Sequence, residues 1–321
     1  MGNGVDDFGK TPLEKNASLE KAEQQARISK EMLEKGIEPE FYATDAEIAA
    51  AKTRIQYNPE NLHLAIAGFA GCGKSSLVNA LRRIPDSHPQ AAPTGTIETT
   101  MVIGRYPDTD QELPFKRFIW YDIPGAGTST IDDWQYFKNQ GLFALDVVIL
   151  VTDNRFLKSD ITLLRNCERY QVPTFIVRSK ADAQIDNIIA KERQTDVMDF
   201  DSFLSFGPSQ PSTITYEAAK SKFINETHQN IKYGLAGAQL PDQRVYIVTR
   251  NGVQAVATQV YRMNKDKIPL PVYTGNRLFD ERDLLKDILV TTYKRRYATD
   301  SSVEELERQF NESQAGRLIG R

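Results

Sequence analysis

The chain has 321 residues, enough for one large core plus a smaller appendage. Lys and Arg number 40 against 43 Asp and Glu, a formal charge of −3, so no global basic field exists and sequence-independent nucleic-acid binding is excluded as the main activity. The two cysteines, Cys72 and Cys167, support neither a disulfide framework nor a zinc site. No apolar run approaches the roughly 18 residues of a membrane span, and no signal-peptide profile opens the chain. The expectation is a cytoplasmic protein, with peripheral membrane association left open.

In chain order, Thr11-Pro12-Leu13-Glu14 is a capping box with proline at the first helical position, followed by Leu19, Ala22, Ala26 and Leu33 at helical spacing until Gly36. Thr44 and Glu47 repeat the box, and Ile48, Ala51 and Ile55 carry a second helix to Asn58-Pro59, so residues 1–58 read as an N-terminal helical segment. From Leu62 the character changes to short, continuous apolar runs: Leu62 to Ala67, Phe118 to Asp122, Val147 to Thr152, Thr174 to Val177 and Val245 to Val248. Runs without alternation imply strands covered on both faces, hence an α/β fold with a mostly parallel sheet. His63, inside the first run, is expected to be a hydrogen-bonded structural histidine. Thr99 to Tyr106 reads as an antiparallel edge strand, and Thr215 to Leu235 and Asp280 to Tyr297 as helices on the sheet. Asn251 to Leu278 shows no clear period. A last helix is expected from Ser301 or Ser302, within a short segment 298–321 packing with the N-terminal helices.

Gly68-Phe69-Ala70-Gly71-Cys72-Gly73-Lys74-Ser75 fits G-x-x-x-x-G-K-[ST] directly after a strand. Such a loop curls backbone N–H groups around phosphate oxygens, Lys74 adds a point charge at the outer phosphates, and the Ser75 hydroxyl can ligate Mg²⁺. A helix beginning here, with Ser76 in its first turn, points its positive end at the same anion. Position 72 accepts many residue types, although a redox-sensitive Cys72 thiol is a second reading. Asp122-Ile123-Pro124-Gly125 closes another strand and matches D-x-x-G, whose carboxylate holds Mg²⁺ and whose glycine N–H meets a γ-phosphate. Downstream of Ser75, Thr94 is placed to cap the metal, with Thr96, Thr99 and Thr100 as competitors. Ser179-Lys180-Ala181-Asp182 follows the strand at Thr174 and is similar to the [NT]-K-x-D guanine signature: Asp182 can accept from the ring N–H and exocyclic amine of guanine while the Lys180 stem lies along the ring. Ala126 stands where small GTPases use glutamine to orient water, so hydrolysis needs another group, and Glu98 is the nearest acidic candidate.

Taken together, Gly68 to Ser76, Ala92 to Met101, Trp120 to Thr128, Arg155-Phe156 to Asp160 and Val177 to Asp182 resemble the immunity-related GTPases, relatives of the dynamin-like GTPases. The resemblance covers roughly residues 45 to 297 and implies a Ras-like P-loop G domain, here 59–297. It also implies GTP hydrolysis to GDP by nucleotide-dependent pairing of G domains into a homodimer, with Glu98 as the switch glutamate supporting hydrolysis across the pair. Lys74 marks the lysine-bearing subclass. The family's base-side loop maps to Thr249-Arg250, a departure from its usual Ser-Asn, and Ser179 departs from Asn or Thr. Family members also carry a C-terminal helical half to which the resemblance does not extend. The leading expectation is a Mg²⁺-dependent GTPase in which Lys74, Thr94 and Glu98 support catalysis; the alternative is a slow or inactive GTP sensor that docks partners through its switches.

Overall fold

The computed structural model describes residues 42–95, 102–110, 115–126, 133–153, 156–198, 214–266 and 278–297, with isolated helical positions between 24 and 32 and at 304 and 308. The expected final helix and the 298–321 segment otherwise lie outside the described residues, as does most of the first expected helix. The chain divides into two compact units, Met1–Thr44 and Asp45–Arg321.

In the second unit, strands β1 (Leu62–Ala67), β2 (Gly104–Pro107), β3 (Phe118–Asp122), β4 (Val147–Thr152), β5 (Thr174–Arg178) and β6 (Val245–Ile247) form one sheet in the order β2-β3-β1-β4-β5-β6. All neighbours are parallel except β2 on β3, so the antiparallel edge strand is present over Gly104–Pro107; its expected beginning at 99–101 lies outside the described residues. The helices are α1 (Asp45–Arg54), α2 (Lys74–Leu81), α3 (Asp133–Gln140), α4 (Lys158–Arg169), α5 (Ala181–Met198), α6 (Tyr216–Gly237), α7 (Arg250–Asp266) and α8 (Glu281–Tyr297). This is the Ras-like P-loop G-domain arrangement.

Period-two alternation is absent from the central strands because both faces are buried. On β1, Leu62, Leu64 and Ile66 join a core with Leu77, Val78, Val256 and Leu285, while Ala65 and Ala67 join another with Ile55, Phe137, Leu164 and Ile231. Helix α1 lies in the unit that begins at Asp45: its Ala51 and the following Ile55 are in the core, and the Ile55 carbonyl accepts from the Tyr121 hydroxyl at 2.8 Å. His63 Nδ1 lies 2.9 Å from the same hydroxyl oxygen and Nε2 2.9 Å from the Asn58 carbonyl oxygen, so both ring nitrogens have a partner. Fully buried and stacked on Tyr57 at 4.4 Å, His63 is the structural histidine its position suggested.

One expectation fails. The stretch from Asn251 is helical to Asp266, and Val253, Val256, Ala257 and Val260 are buried at i, i+3, i+4 and i+7. The period was present but diluted by Gly252 and the β-branched residues, which are weak helix formers, so packing rather than propensity makes this helix.

Candidate functional site

The site is built at the carboxyl ends of β1, β3, β4 and β5, where open α/β sheets bind ligands. After β1 the chain turns through three glycines at positive φ: Gly68 at 140°, Gly71 at 79° and Gly73 at 101°. A Cβ on Gly68 would lie 2.1 Å from the Val151 carbonyl oxygen, so the end of β4 permits only glycine there. Gly73 caps α2 without a side-chain hydrogen bond, leaving the first N–H groups of that helix directed at the turn.

Within this turn Phe69 is exposed, Ala70 partly buried and Gly71 exposed, while Cys72 is buried. Desolvation pushes the Cys72 thiol up to about 12, which argues against the redox-sensitive reading. Lys74 is also buried, its ammonium donating to the Phe69 carbonyl at 3.0 Å across the mouth of the loop. The Ser75 hydroxyl donates to Asp122 Oδ2 at 2.6 Å, and Ser76 sits beside it on the first turn of α2.

Asp122 and Gly125 are joined to the phosphate loop by main-chain contacts. Ile123 N donates to Ile66 O at 3.1 Å and Ala126 N to Gly68 O at 3.1 Å. A Cβ on Gly125 would lie 2.8 Å from Ala70 N and Cα, so the two loops pack backbone to backbone. The Tyr136 hydroxyl, from α3, holds the Pro124 carbonyl at 2.7 Å.

From β5, Ser179 and Lys180 reach the same loop: the Ser179 hydroxyl donates to Cys72 O at 2.6 Å and the Lys180 ammonium to Gly71 O at 2.6 Å. Lys180 has φ 56°, a left-handed conformation that costs a non-glycine residue about 1 kcal/mol or more and persists where its surroundings over-determine it. Here the determinant is a second anchor, Asp153 Oδ2 at 3.1 Å, just past the end of β4. Asp182 is exposed on the first turn of α5, its Oδ1 accepting from Ala183 N at 2.9 Å. Thr249 and Arg250 have other partners. The Thr249 hydroxyl donates to Glu281 Oε1 at 3.1 Å and accepts from Gly252 N at 2.9 Å, while Arg250 pairs with Asp86 at 3.0 Å.

Thr94 is exposed at the end of a stem that Asn79 fastens through both main-chain groups of Ala92, at 2.7 and 2.9 Å. Glu98, Thr96, Thr99, Thr100 and Arg155 lie outside the described residues. The Ser75 hydroxyl and Asp122 carboxylate form a hard, all-oxygen pair, which fits Mg²⁺. Tertiary structure adds residues that motif reading missed: Asp153, Asn79, Tyr136 and Glu281. Of these only Asp153, the first position past a predicted strand end beside the motifs, carried a sequence signal.

The family Interferon-inducible GTPase (IIGP) matches residues 23–198, more than half of the chain. The chain belongs to the interferon-inducible GTPase family. Interferon-inducible GTPase 5 of Rattus norvegicus is 30% identical over 225 residues, 69% of this chain and 43% of that protein. T-cell-specific guanine nucleotide triphosphate-binding protein 2 of Mus musculus is 36% identical over 126 residues, covering 39% and 29% respectively. The matches therefore span less than half the length of these relatives. Toc33 from Arabidopsis thaliana, solved with Mg²⁺ and GMPPNP, is similar at a TM-score of 0.40 and 16% identity over 78% of this chain and 92% of that one. Within the interferon-inducible GTPase family, then, this chain presents the glycine turn after β1, the Asp122–Gly125 turn and the Ser179–Lys180 segment bonded into one edge.

Proposed function

We propose that the chain binds guanine nucleotide with Mg²⁺ and hydrolyses GTP to GDP and phosphate, with turnover raised by pairing of its G domains. The observation that carries this reading is the direct bonding of Ser179 and Lys180 to the Cys72 and Gly71 carbonyls, which holds a guanine-type loop against a phosphate loop at a set distance. The loop N–H groups and the N-terminus of α2 take the phosphates, and Lys74 leaves the Phe69 carbonyl to meet the outer phosphate oxygens. Asp182 reads the base, with Thr249 and Arg250 bordering that side. Ser75, Asp122 and Thr94 would hold Mg²⁺, which when bound offsets charge developing on the phosphates. Gly125 offers its N–H to the γ-phosphate.

Water positioning falls to Glu98, because Ala126 has no side chain to do it and is itself buried, its N–H spent on Gly68. The same observation favours a second reading, a slow GTP sensor whose switches signal occupancy without efficient turnover. Measuring GTP turnover per molecule over a range of protein concentrations, with Glu98→Ala alongside, separates the two. A specific rate that climbs with concentration and collapses in the variant supports paired hydrolysis; tight binding with a flat or absent rate supports the sensor. Among the described residues no helix is long and apolar enough to cross a membrane. Peripheral membrane contact is a separate proposal, and failure of the GTP-loaded chain to pellet with liposomes would remove it.

A further inference from the structure

Away from the phosphate and base loops, a cavity of about 250 Å³ opens between α5, α6 and the ends of β4 and β5. None of the loop residues assigned to nucleotide lines it. Its distinguishing feature is Arg178, the last residue of β5, which is only 8% exposed and whose Nη1 is buried without a hydrogen-bond partner among the described residues. Among the described residues no carboxylate lies within ion-pair distance of this guanidinium; its close company is the ring of Phe223, 5.3 Å away. Burial pulls its pKa below the ordinary arginine value, with Asp153 offsetting the cost in part, so the fold carries a desolvated cation that an anion would relieve.

The walls decide which anion. Phe156, Ile188, Phe223 and Ile231 make an apolar lining, and Phe156 is held against α6 where Gly234 leaves room: a Cβ on that glycine would lie 2.6 Å from the Phe156 ring. Gln184, Thr227 and Asn230 supply polar groups suited to a second oxygen. Arg178 and Lys191 against Glu226 leave one net positive charge on the lining, which matches a monoanion better than a dianionic phosphate. The volume lies below the roughly 300–1,000 Å³ of pockets for drug-sized ligands, so the occupant is small.

We propose that this cleft is a binding site for a small organic monocarboxylate with an apolar body, its carboxylate paired with Arg178. The site backs directly on the guanine-type loop: Arg178 precedes Ser179, and the Arg178 carbonyl accepts from Val248 N at 2.9 Å, so an occupant is one residue from a contact that holds the phosphate loop.

Ligand-observed NMR titration of the full chain tests this, with and without GDP and Mg²⁺, using phenylacetate as probe, phenylacetamide as its neutral counterpart and inorganic phosphate as competitor. Phenylacetate is expected to bind at least about tenfold tighter than the amide under both conditions, and Arg178→Met to bring it down to the level of the amide. Equal binding of acid and amide, undiminished binding in Arg178→Met, or displacement of phenylacetate by phosphate in the GDP-loaded chain would overturn the assignment. Should Arg178→Met fail to fold, Asn230→Trp at the exposed rim serves in its place: it must weaken phenylacetate at least about tenfold, and unchanged affinity there equally removes the site. Because the readout does not involve turnover, failure here leaves the GTPase reading standing, and the converse holds.

Discussion

Lys74 and His63 show how differently two buried polar side chains on one connected segment serve the protein. The Lys74 ammonium is satisfied by a single main-chain carbonyl at 3.0 Å, a contact that a phosphate can replace with a charge-assisted one. Lys74→Ala is therefore expected to weaken GTP affinity by about 10- to 100-fold, on the scale of one lost charged hydrogen bond, as read by titration with a fluorescent GTP analogue. Unchanged affinity would remove Lys74 from the site. His63, by contrast, is locked between Tyr121, Tyr57 and the Asn58 backbone, and desolvation lowers its pKa below the ordinary value despite the Asn58 hydrogen bond and the pull of Asp146. Because the folded value is depressed, the unfolded chain binds the proton first. Stability should thus be fully present above about pH 6.5 and fall as pH drops through and below that point. In His63→Gln the part of the slope due to this group should vanish, which denaturant midpoints taken between about pH 7.5 and 5.5 would reveal; an identical slope in the variant would locate the effect elsewhere.

Helix α8 is the element whose attachment reaches the site. Glu281, at its first turn and 1% exposed, accepts from Thr249 N at 2.9 Å and Phe279 N at 2.6 Å as well as from the Thr249 hydroxyl, so one carboxylate ties the end of β6, the start of α7 and α8 together. Glu281→Ala leaves buried N–H donors unpaired and should cost about 1–3 kcal/mol or more of stability in chemical denaturation. Loss of less than about 0.5 kcal/mol would show that water replaces the carboxylate without penalty. Helix α7 also shows where pattern reading loses power. Val253, Val256, Ala257 and Val260 have helical spacing, yet Gly252 and the β-branched neighbours speak against a helix locally. It forms because the same residues face α2 and α8 in a shared core with Leu77, Val78, Leu284 and Leu285.

For the assembled G domain, the decisive prediction concerns a second copy of the chain. If Glu98 supports hydrolysis across a pair, the specific GTPase rate should rise with protein concentration, and Glu98→Ala should lower the saturating rate by about 10²-fold or more, the scale of a positioned catalytic group. A rate independent of concentration would argue for a monomeric mechanism. The strand runs, the phosphate turn and the D-x-x-G and Ser179-Lys180-x-Asp182 segments were legible in the amino-acid order because each depends on neighbours a few positions away: glycines where φ must be positive, apolar runs where both faces are covered. Partnerships across the chain were not. That Ser75 meets Asp122, that Ser179 and Lys180 grip the carbonyls of Cys72 and Gly71, that Asp153 steadies a strained Lys180, and that Arg178 ends a strand with its Nη1 buried and unpaired among the described residues all depend on strand order and register. Local spacing specifies which backbone shapes are available, whereas only the packed sheet brings residues tens of positions apart within hydrogen-bonding distance and decides which charges are left without a partner.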